Sequence, residues 1–293
     1  MEKLFDDYRL YLSRQPLSEN TLNSYVKDLS AFCSYTGAKK ASSVIGTTRK
    51  TINNYIDSMK ELGKANSTIS RNIASLRKFF MYLVEIGSIK SNPAGDARVP
   101  RVEKKLPEGL TTREVVKLLK QPKCNSLKGY RDKAMLELLY ATGIKVSELI
   151  SLTVRDVDIS GEMLSSGDDK HRRYIPIGRE ATTAVENYLK NARPLMVSET
   201  GAKTLFVNCL GEPLTRQGFW KILRKYAKSA GIETPINAQT LRNSFAIHLL
   251  QNGADIASVS EMLGHNDVLT TRVYSKVLKD NIKKVYKKAH PRA

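Results

Sequence analysis

Apolar residues recur at helical spacing through the first ninety residues of the chain. In the segments 21–37, 47–63 and 66–87, apolar side chains lie three and four residues apart, and each segment ends at a glycine. Spacing of this kind places the apolar side chains on one face of a helix, where they can pack against one another. We therefore predict an all-helical N-terminal domain over residues 1–90, built from four short helices.

The stretch SNPAGDARVPRVEKKLPEGL, residues 91–110, interrupts this pattern. Its prolines, glycines and basic residues are typical of an extended connector. Thr111 and Glu114 then have the spacing of a capping box, which predicts the start of the next helix. We therefore predict a linker at 91–110 and a second domain at 111–293.

The second domain has a mixed pattern. GYRDKAMLELLYATG predicts an apolar helix that ends at Gly143, and KVSELISL predicts a short helix after it. Strand patterns follow around 162–165, in RRYIPIG after the polar turn SGDDKH, and in TLFVN at 204–208. From Thr215 onward every segment has helical spacing. The predicted fold class is mostly α with a small β-sheet.

The charge balance indicates a polyanionic partner. The chain has 48 Lys and Arg against 29 Asp and Glu, which gives a net charge of +19. An excess this large favours nucleic acid over a membrane surface, although a basic protein with solvated lysines is the plainer alternative. We expect DNA contacts from the polar face of the helix at 66–87 and from the linker, by Arg71, Arg77, Lys78, Arg101, Lys104 and Lys105.

Cysteine and histidine spacing argues against several other classes of protein. The three cysteines lack CxxC pairing and the four histidines lack metal-binding spacing, so we expect free thiols and no metal site. The opening MEKLFDDYRLYL has no basic and apolar signal-peptide pattern, and no apolar run is long enough to span a membrane. We therefore expect a cytoplasmic protein at the nucleoid, with no membrane partner.

Three segments of the second domain form an ordered signature. RDKAMLELLYATGIKVSELISLTVRDVD, TLRNSFAIHLLQNGADIASVSEMLGH and TTRVYSKV, in this order and spacing, resemble the tyrosine site-specific recombinases, above all the small Xer type. The resemblance extends over essentially the whole chain. It implies a two-domain DNA clamp, in which a helical SAM-like core-binding domain and a mixed α/β tyrosine-recombinase catalytic domain close around duplex DNA.

The resemblance also implies a reaction that needs no metal or other cofactor. In this family a tyrosine attacks the scissile phosphate, which gives a 3′-phosphotyrosyl link and a free 5′-hydroxyl. A phenol with a pKa near 10 is a weak nucleophile at neutral pH and must be positioned. The phosphoryl oxygens gain charge and need cationic donors, for which the planar fork of arginine is best suited. The family assigns the protonation of the leaving oxygen to a lysine on a β-hairpin turn.

Three positions match the catalytic pattern of the family. Tyr274 matches the nucleophile, Arg242 in TLRNSF matches the second arginine of the phosphate clamp, and His265 in LGH matches the family's His or Trp. Each also has a plainer interpretation. Tyr274 could be a packing residue, Arg242 could extend along its helix to solvent, and His265 could interact with a helix C-terminus.

Three positions depart from the pattern. Lys145 in ATGIKVSEL stands where the first clamp arginine is expected, and Gln239 stands where a histidine is expected. The hairpin lysine aligns with Asp168, so Lys170 or Arg172 in the same turn would have to replace it. Lys145 keeps the charge without the fork, and Gln239 can donate a hydrogen bond but cannot shuttle a proton at neutral pH. These departures predict a partly non-standard and weakened active site.

Two functional classes remain open from the sequence. The first is a working strand-exchange enzyme that assembles as a homotetramer on two duplexes, or as a hetero-oligomer with another recombinase. The second is a catalytically impaired relative that binds its site as an architectural partner or regulator. The basic amphipathic tail from 278 could dock on a neighbouring subunit or touch phosphates. RNA binding is a distant alternative, because no RNP-like strand or KH-type loop is present.

Overall fold

The computed structural model of the protein describes residues 1–100, 108–167, 172–197 and 203–264. The chain divides into two units, Met1–Lys104 and Lys105–Ala293, and each has its own apolar core. This division agrees with the predicted order of a helical domain followed by a mixed domain.

The N-terminal unit is helical, as the apolar spacing predicts. Its helices are α1 (Glu2–Ser13), α2 (Glu19–Thr36), α3 (Ala41–Ile45), α4 (Arg49–Glu61) and α5 (Asn66–Glu85). The prediction of four short helices was wrong in two respects. A fifth helix, α3, is too short for helical spacing to be recognised, and α2 and α5 are long, at 18 and 20 residues.

Aromatic rings fill the centre of this unit. Tyr8, Phe32, Phe79 and Phe80 are fully buried, and their rings meet mostly edge to face, as in the pair Tyr8–Phe79 with centroids 5.0 Å apart. Edge-to-face contact brings the positive ring edge to the negative face of its neighbour. Ring packing of this kind fixes α5 against α1 and α2.

Both described ends of the predicted linker are packed against protein, which corrects the prediction of an extended connector there. Ala94 and Ala97 belong to the N-terminal core, and the Arg77 guanidinium donates to both of their carbonyls, at 3.1 and 2.6 Å. Pro93 and Gly95 of this segment lie in a turn at 93–96. Residues 101–107 lie outside the described ranges.

The second unit contains the remaining helices and strands, and the other end of the predicted linker is bound to it. This unit contains α6 (Thr112–Leu119), α7 (Leu127–Thr142), α8 (Val146–Ser151), β1 (Val157–Asp158), β2 (Met163–Ser166), β3 (Arg173–Pro176), α9 (Gly178–Asn191), α10 (Arg193–Met196), α11 (Arg216–Ser229), α12 (Ala238–Gln251) and α13 (Ile256–Leu263). The Leu110 N–H donates to the Ser244 hydroxyl of α12 at 2.8 Å, and the Asn243 amide donates to the Glu108 carbonyl at 3.0 Å. The segment 108–110 is therefore bound along α12.

Several predicted features of the second unit are confirmed. Thr111 and Glu114 form the predicted capping box. The strands β1, β2 and β3 form an antiparallel sheet in chain order, with Leu164 opposite Ile175 on the buried face. Gly143 ends α7 in the left-handed conformation, with φ of +59°.

The strand predicted at 204–208 was wrong. Thr204 and Val207 make only isolated bridges, to Thr153 and Pro213, although the side chains of Leu205, Phe206 and Val207 are fully buried. The apolar run therefore reflects burial rather than a ladder, because a short buried run has the same sequence pattern in both cases. Helix α9 had no counterpart in the sequence prediction.

The buried charges of α7 are paired. Arg131 and Asp132 of α7 form an ion pair at 2.7 Å, Arg131 also donates to the Val207 carbonyl, and the Tyr226 hydroxyl of α11 donates to Asp132 at 3.0 Å. A buried charge is tolerated only when it is bonded in this way.

Across the described ranges, no helix combines the length and apolar character needed to span a bilayer.

Candidate active site

Arg242 connects the two loops on which the other candidate residues depend. Arg242 lies on α12, whose first turn is capped by Asn237. Arg242 is only 3% exposed. Its two terminal nitrogens donate to the carbonyls of Gly143, at 2.5 Å, and Leu263, at 2.6 Å. The guanidinium therefore does not extend to solvent. It joins the turn that precedes Lys145 to the helix end that precedes His265.

Gly143 is required by this close approach. A Cβ added there would lie 2.3 Å from the Phe245 ring of α12, and φ at this position is +59°. A side chain would clash with the ring and would disfavour the left-handed backbone. Glycine thus lets the α7–α8 turn lie against α12, next to Arg242.

Lys145 presents an exposed ammonium from a fixed backbone. It is the N-cap residue of α8, and its N–H donates to Glu148 at 2.7 Å. Burial acts to raise the pKa of the Glu148 carboxyl, but hydrogen bonds from Arg173 and from the Lys145 N–H, together with their positive charges, lower it below its ordinary value. Glu148 is therefore ionised at neutral pH and can hold the N-terminal turn of α8.

Gln239 lies in the first turn of α12, one helical turn before Arg242. It is exposed, and its amide nitrogen donates to the Asn243 side chain at 2.9 Å. Residues three apart on a helix are neighbours on one face. Gln239 and Arg242 therefore lie on adjacent parts of α12, with the amide at the surface and the guanidinium beneath it.

Arg173 of β3 was not identified from the sequence as a site residue. Its guanidinium forms a two-pronged contact with Glu148, at 2.9 and 3.1 Å, and its Nε donates to the Met262 carbonyl at 2.8 Å. These partners are 25 and 89 residues away along the chain. In the sequence Arg173 is only one of two adjacent arginines at the start of a predicted strand, so no local pattern marks it as a site residue.

Several predicted site residues fall outside the described ranges. They are the nucleophile candidate Tyr274, His265, the hairpin residues Asp168 and Lys170, and the linker residues Arg101, Lys104 and Lys105. Their roles stay predictions. Of the predicted phosphate-site residues, the structure describes Arg242, Lys145 and Gln239, and it connects the first two through the Gly143 turn.

The three basic residues predicted to contact DNA on α5 all have partners within their own unit. Arg71 pairs with Asp28 at 3.1 Å, and Lys78 donates to Gln15 at 3.1 Å. Arg77 holds the carbonyls of the turn that follows α5. The half-exposed Arg71 side chain keeps surface available for a phosphate. Arg77 holds the turn at 94–97, and DNA contact by Arg77 stays a prediction.

A second basic surface, which the sequence analysis did not single out, lies on α11. Its exposed face carries no acidic residue, and Trp220 on this face is 46% exposed, with the Arg224 guanidinium 4.5 Å from its ring centroid. Five basic residues among fourteen, without an acid, were the available signal. The α11 basic face consists of Arg216, Trp220, Lys221, Arg224, Lys225 and Lys228.

Comparisons with known proteins identify the family. Residues 108–281 match the model of the phage integrase family, and residues 5–87 match that of the phage integrase N-terminal SAM-like domain. The chain is 44% identical over 279 residues to the tyrosine recombinase XerD of Halalkalibacterium halodurans, covering 94% of this chain and 93% of that one. It is 42% identical to the XerD of Listeria innocua over the full length of both.

Solved structures have the same fold. XerH recombinase bound to its palindromic difH substrate has a TM-score of 0.75 at 21% identity, covering 90% of this chain and 78% of that one. The Tn1549 transposon integrase in complex with transposon right end DNA has a TM-score of 0.76 at 20% identity, covering 98% of each chain. Two-domain architecture, signature segments and full-length sequence similarity agree, and the chain belongs to the phage integrase family of tyrosine recombinases.

Proposed function

We propose that this protein is a site-specific recombinase that cuts and rejoins duplex DNA through a 3′-phosphotyrosyl intermediate. The observation that carries the proposal is the Arg242 contact with Gly143 and Leu263, since it gathers the Lys145 turn and the segment leading to His265 around one guanidinium. The full-length similarity to recombinases of the XerD type supports the same activity. The protein would act on the nucleoid.

The proposed reaction has two steps, each a transfer at one phosphorus atom. The Tyr274 phenol releases its proton to the surrounding water as its oxygen attacks the scissile phosphate, the bond from phosphorus to the 5′-oxygen breaks, and that oxygen takes a proton. Lys170 in the hairpin turn is the proposed proton donor. The 5′-hydroxyl of a partner strand then attacks the phosphotyrosine and returns its proton to Lys170, the bond from phosphorus to the tyrosine oxygen breaks, and that oxygen takes a proton from water to restore the Tyr274 phenol.

The other site residues stabilise charge on the phosphoryl oxygens. Arg242 and Lys145 supply positive charge, and Gln239 and His265 supply hydrogen bonds. Lys145 lacks the two-pronged geometry of arginine, and Gln239 cannot exchange a proton at neutral pH. We therefore expect slower cleavage than a site with two arginines and a histidine would support.

Duplex DNA and other recombinase subunits are the proposed partners. The α11 basic face and Arg71 offer positive charge for phosphates on the two units. Solved structures with this fold include a lambda integrase tetramer bound to a Holliday junction. We extend that assembly to this chain as a homotetramer on two duplexes, or as a hetero-oligomer with a second recombinase.

The second candidate function is DNA binding without cleavage. It is favoured by the three departures from the family's catalytic pattern, at Lys145, Gln239 and Asp168. In that case the protein would bind its site and regulate or support an active recombinase.

A covalent trapping experiment separates the two functions. The preferred site is first selected from random duplex DNA, and a nicked suicide substrate of that site is incubated with wild type, Tyr274→Phe and the control Tyr35→Phe. An adduct in wild type and Tyr35→Phe that disappears in Tyr274→Phe is the expected result. Specific binding without an adduct, also in the presence of a second recombinase, would establish the non-cleaving function instead.

A further inference from the structure

We propose that Arg173 is a positioning residue for DNA cleavage, which holds the N-terminus of α8, with Lys145, and the C-terminal end of α13 in one arrangement without touching the phosphate. This inference rests on the proposed function. Arg173 is on β3, so the same side chain also ties the paired strands β2 and β3 to those two segments.

The first contact of Arg173 fixes the backbone of Lys145. Its two terminal nitrogens meet the two carboxylate oxygens of Glu148, and one of those oxygens also accepts the Lys145 N–H at 2.7 Å. Glu148 is thus held in one orientation by a planar fork while it caps the N-terminus of α8. Loss of the fork would free Glu148 to rotate, and the capping bond to Lys145 would weaken.

The second contact lies directly before His265. The Arg173 Nε donates to the Met262 carbonyl at 2.8 Å, and the guanidinium packs beneath Gly264. A Cβ on Gly264 would lie 2.7 Å from the Arg173 Cζ, at a backbone φ of +64°. Glycine is therefore needed here for the end of α13 to pass over the guanidinium.

The contacts of Arg173 assign it to positioning rather than to phosphate binding. Its terminal nitrogens form an ion pair with the Glu148 carboxylate, which neutralises its charge, and its Nε donates to Met262. Arg242 instead donates to the neutral carbonyls of Gly143 and Leu263, which leave its charge uncompensated by them. A lysine at this position would keep the charge, but one ammonium cannot reproduce a parallel fork and a third bond in another direction. Lysine is therefore a mild substitution that tests the geometry while preserving the charge.

Arg242 provides a second brace between the same two loops. It binds the carbonyls of Gly143 and Leu263 from α12, whereas Arg173 binds Glu148 and Met262 from β3. With Arg242 intact, loss of Arg173 should loosen the loops without unfolding the unit. Small displacements of catalytic groups reduce rates by up to about 10²-fold while leaving remote binding contacts in place.

The test compares Arg173→Lys with wild type and with the control Arg179→Lys, an exposed arginine in the first turn of α9. Three quantities are measured: adduct formation on the suicide substrate, Kd for the uncleaved site, and hydrogen exchange of the peptides containing 145–149 and 256–264. Arg173→Lys should form adduct at least about 10-fold more slowly. Its Kd should stay close to that of wild type, and both peptides should exchange faster. Arg179→Lys should match wild type in all three.

Gly264→Ala tests the contact between Gly264 and the Arg173 guanidinium by changing the glycine instead of the arginine. Its Cβ should displace the Arg173 guanidinium, so it should accelerate exchange at 145–149, a segment distant in sequence. Gly231→Ala, at a left-handed glycine with nothing within 4 Å of the added Cβ, is its control.

The outcomes separate the inference from the proposed function. Wild-type protein that forms no adduct would end the proposed function, and hydrogen exchange would still test the bracing by Arg173. Unchanged exchange and unchanged adduct formation in Arg173→Lys would overturn the inference. A loss of adduct matched by equal losses of thermal stability and DNA affinity would also overturn it, because Arg173 would then serve folding in general.

Discussion

At the scale of single residues, Lys145 in the proposed site has the charge of an arginine without its planar fork. Its backbone is held by Glu148 and its turn is held by Arg242, so the position is fixed as closely as an arginine there would be. Only the donor group differs. An ammonium donates to one phosphoryl oxygen at a time, whereas a guanidinium donates to two in one plane.

Lys145→Arg should therefore accelerate cleavage. The added fork restores a preorganised donor whose removal from comparable sites costs roughly 10²–10³ in rate, and we expect at least about a 10-fold faster formation of the adduct. Single-turnover kinetics on the suicide substrate measure this rate. Lys128→Arg, an exposed lysine in the first turn of α7, is the matched control. An unchanged rate in Lys145→Arg would show that this side chain does not face the phosphate.

At the scale of secondary-structure elements, the close contact between the α7–α8 turn and α12 sets the position of the site. Gly143 allows this contact, and Phe245 fills the space behind the turn. The same turn supplies the carbonyl that Arg242 binds. A change at Gly143 should consequently affect both the stability of the unit and the placement of Lys145.

Gly143→Ala should destabilise the second unit by roughly 2–4 kcal/mol, since the left-handed strain and the clash with Phe245 add together. Gly231→Ala has a similar backbone, φ +66°, in open space, and should cost only the strain, about 1–2 kcal/mol. Urea unfolding of the two variants measures the difference. Equal losses of stability would mean that Phe245 moves aside without cost.

The sequence predicted elements where the determinants are local. Gly143 as a helix end, Thr111 with Glu114 as a helix start, and the pairing of β2 with β3 all depend on neighbouring residues. The strand predicted at 204–208 was wrong, because the apolar composition of a segment does not reveal whether a partner strand is present. Helix α9 was missed, although Val185 and Tyr188 face the core.

The site was predictable only in part, and for a related reason. Arg242 and Lys145 were found because they lie within signature segments that resemble a family. Arg173 was not, because its proposed role depends on contacts with Glu148 and Met262, which only the fold brings together. The α11 basic face was visible in the sequence as a cluster of cations, but its exposure became clear from the packing of the helix.

At the scale of the whole molecule, the net charge of +19 should dominate the affinity for DNA. Each phosphate contact by Lys or Arg releases condensed counterions, so affinity falls as salt rises. Basic surface is present on both units, at Arg71 and on the α11 basic face.

The double variant Arg224→Gln/Lys228→Gln should reduce the salt dependence of DNA binding. If both residues contact phosphates, the slope of log K against log salt should become shallower by about 2, because each contact contributes roughly 0.9. Fluorescence anisotropy over a salt series measures the slope. Lys120→Gln/Lys190→Gln, which removes the same charge elsewhere on the second unit, is the control. Equal slopes in the two double variants would exclude α11 from the phosphate contacts.

The attachment of residues 108–110 to α12 has a practical consequence for dissecting the molecule. A fragment cut at the predicted boundary of 111 would lose the Leu110 N–H and leave the buried Ser244 hydroxyl short of one partner, a cost of about 1–3 kcal/mol. It would also free Asn243, the neighbour of Arg242, from the Glu108 carbonyl. A recombinant catalytic fragment should therefore start before Glu108, so that α12, which carries Arg242, retains its hydrogen bonds with residues 108–110.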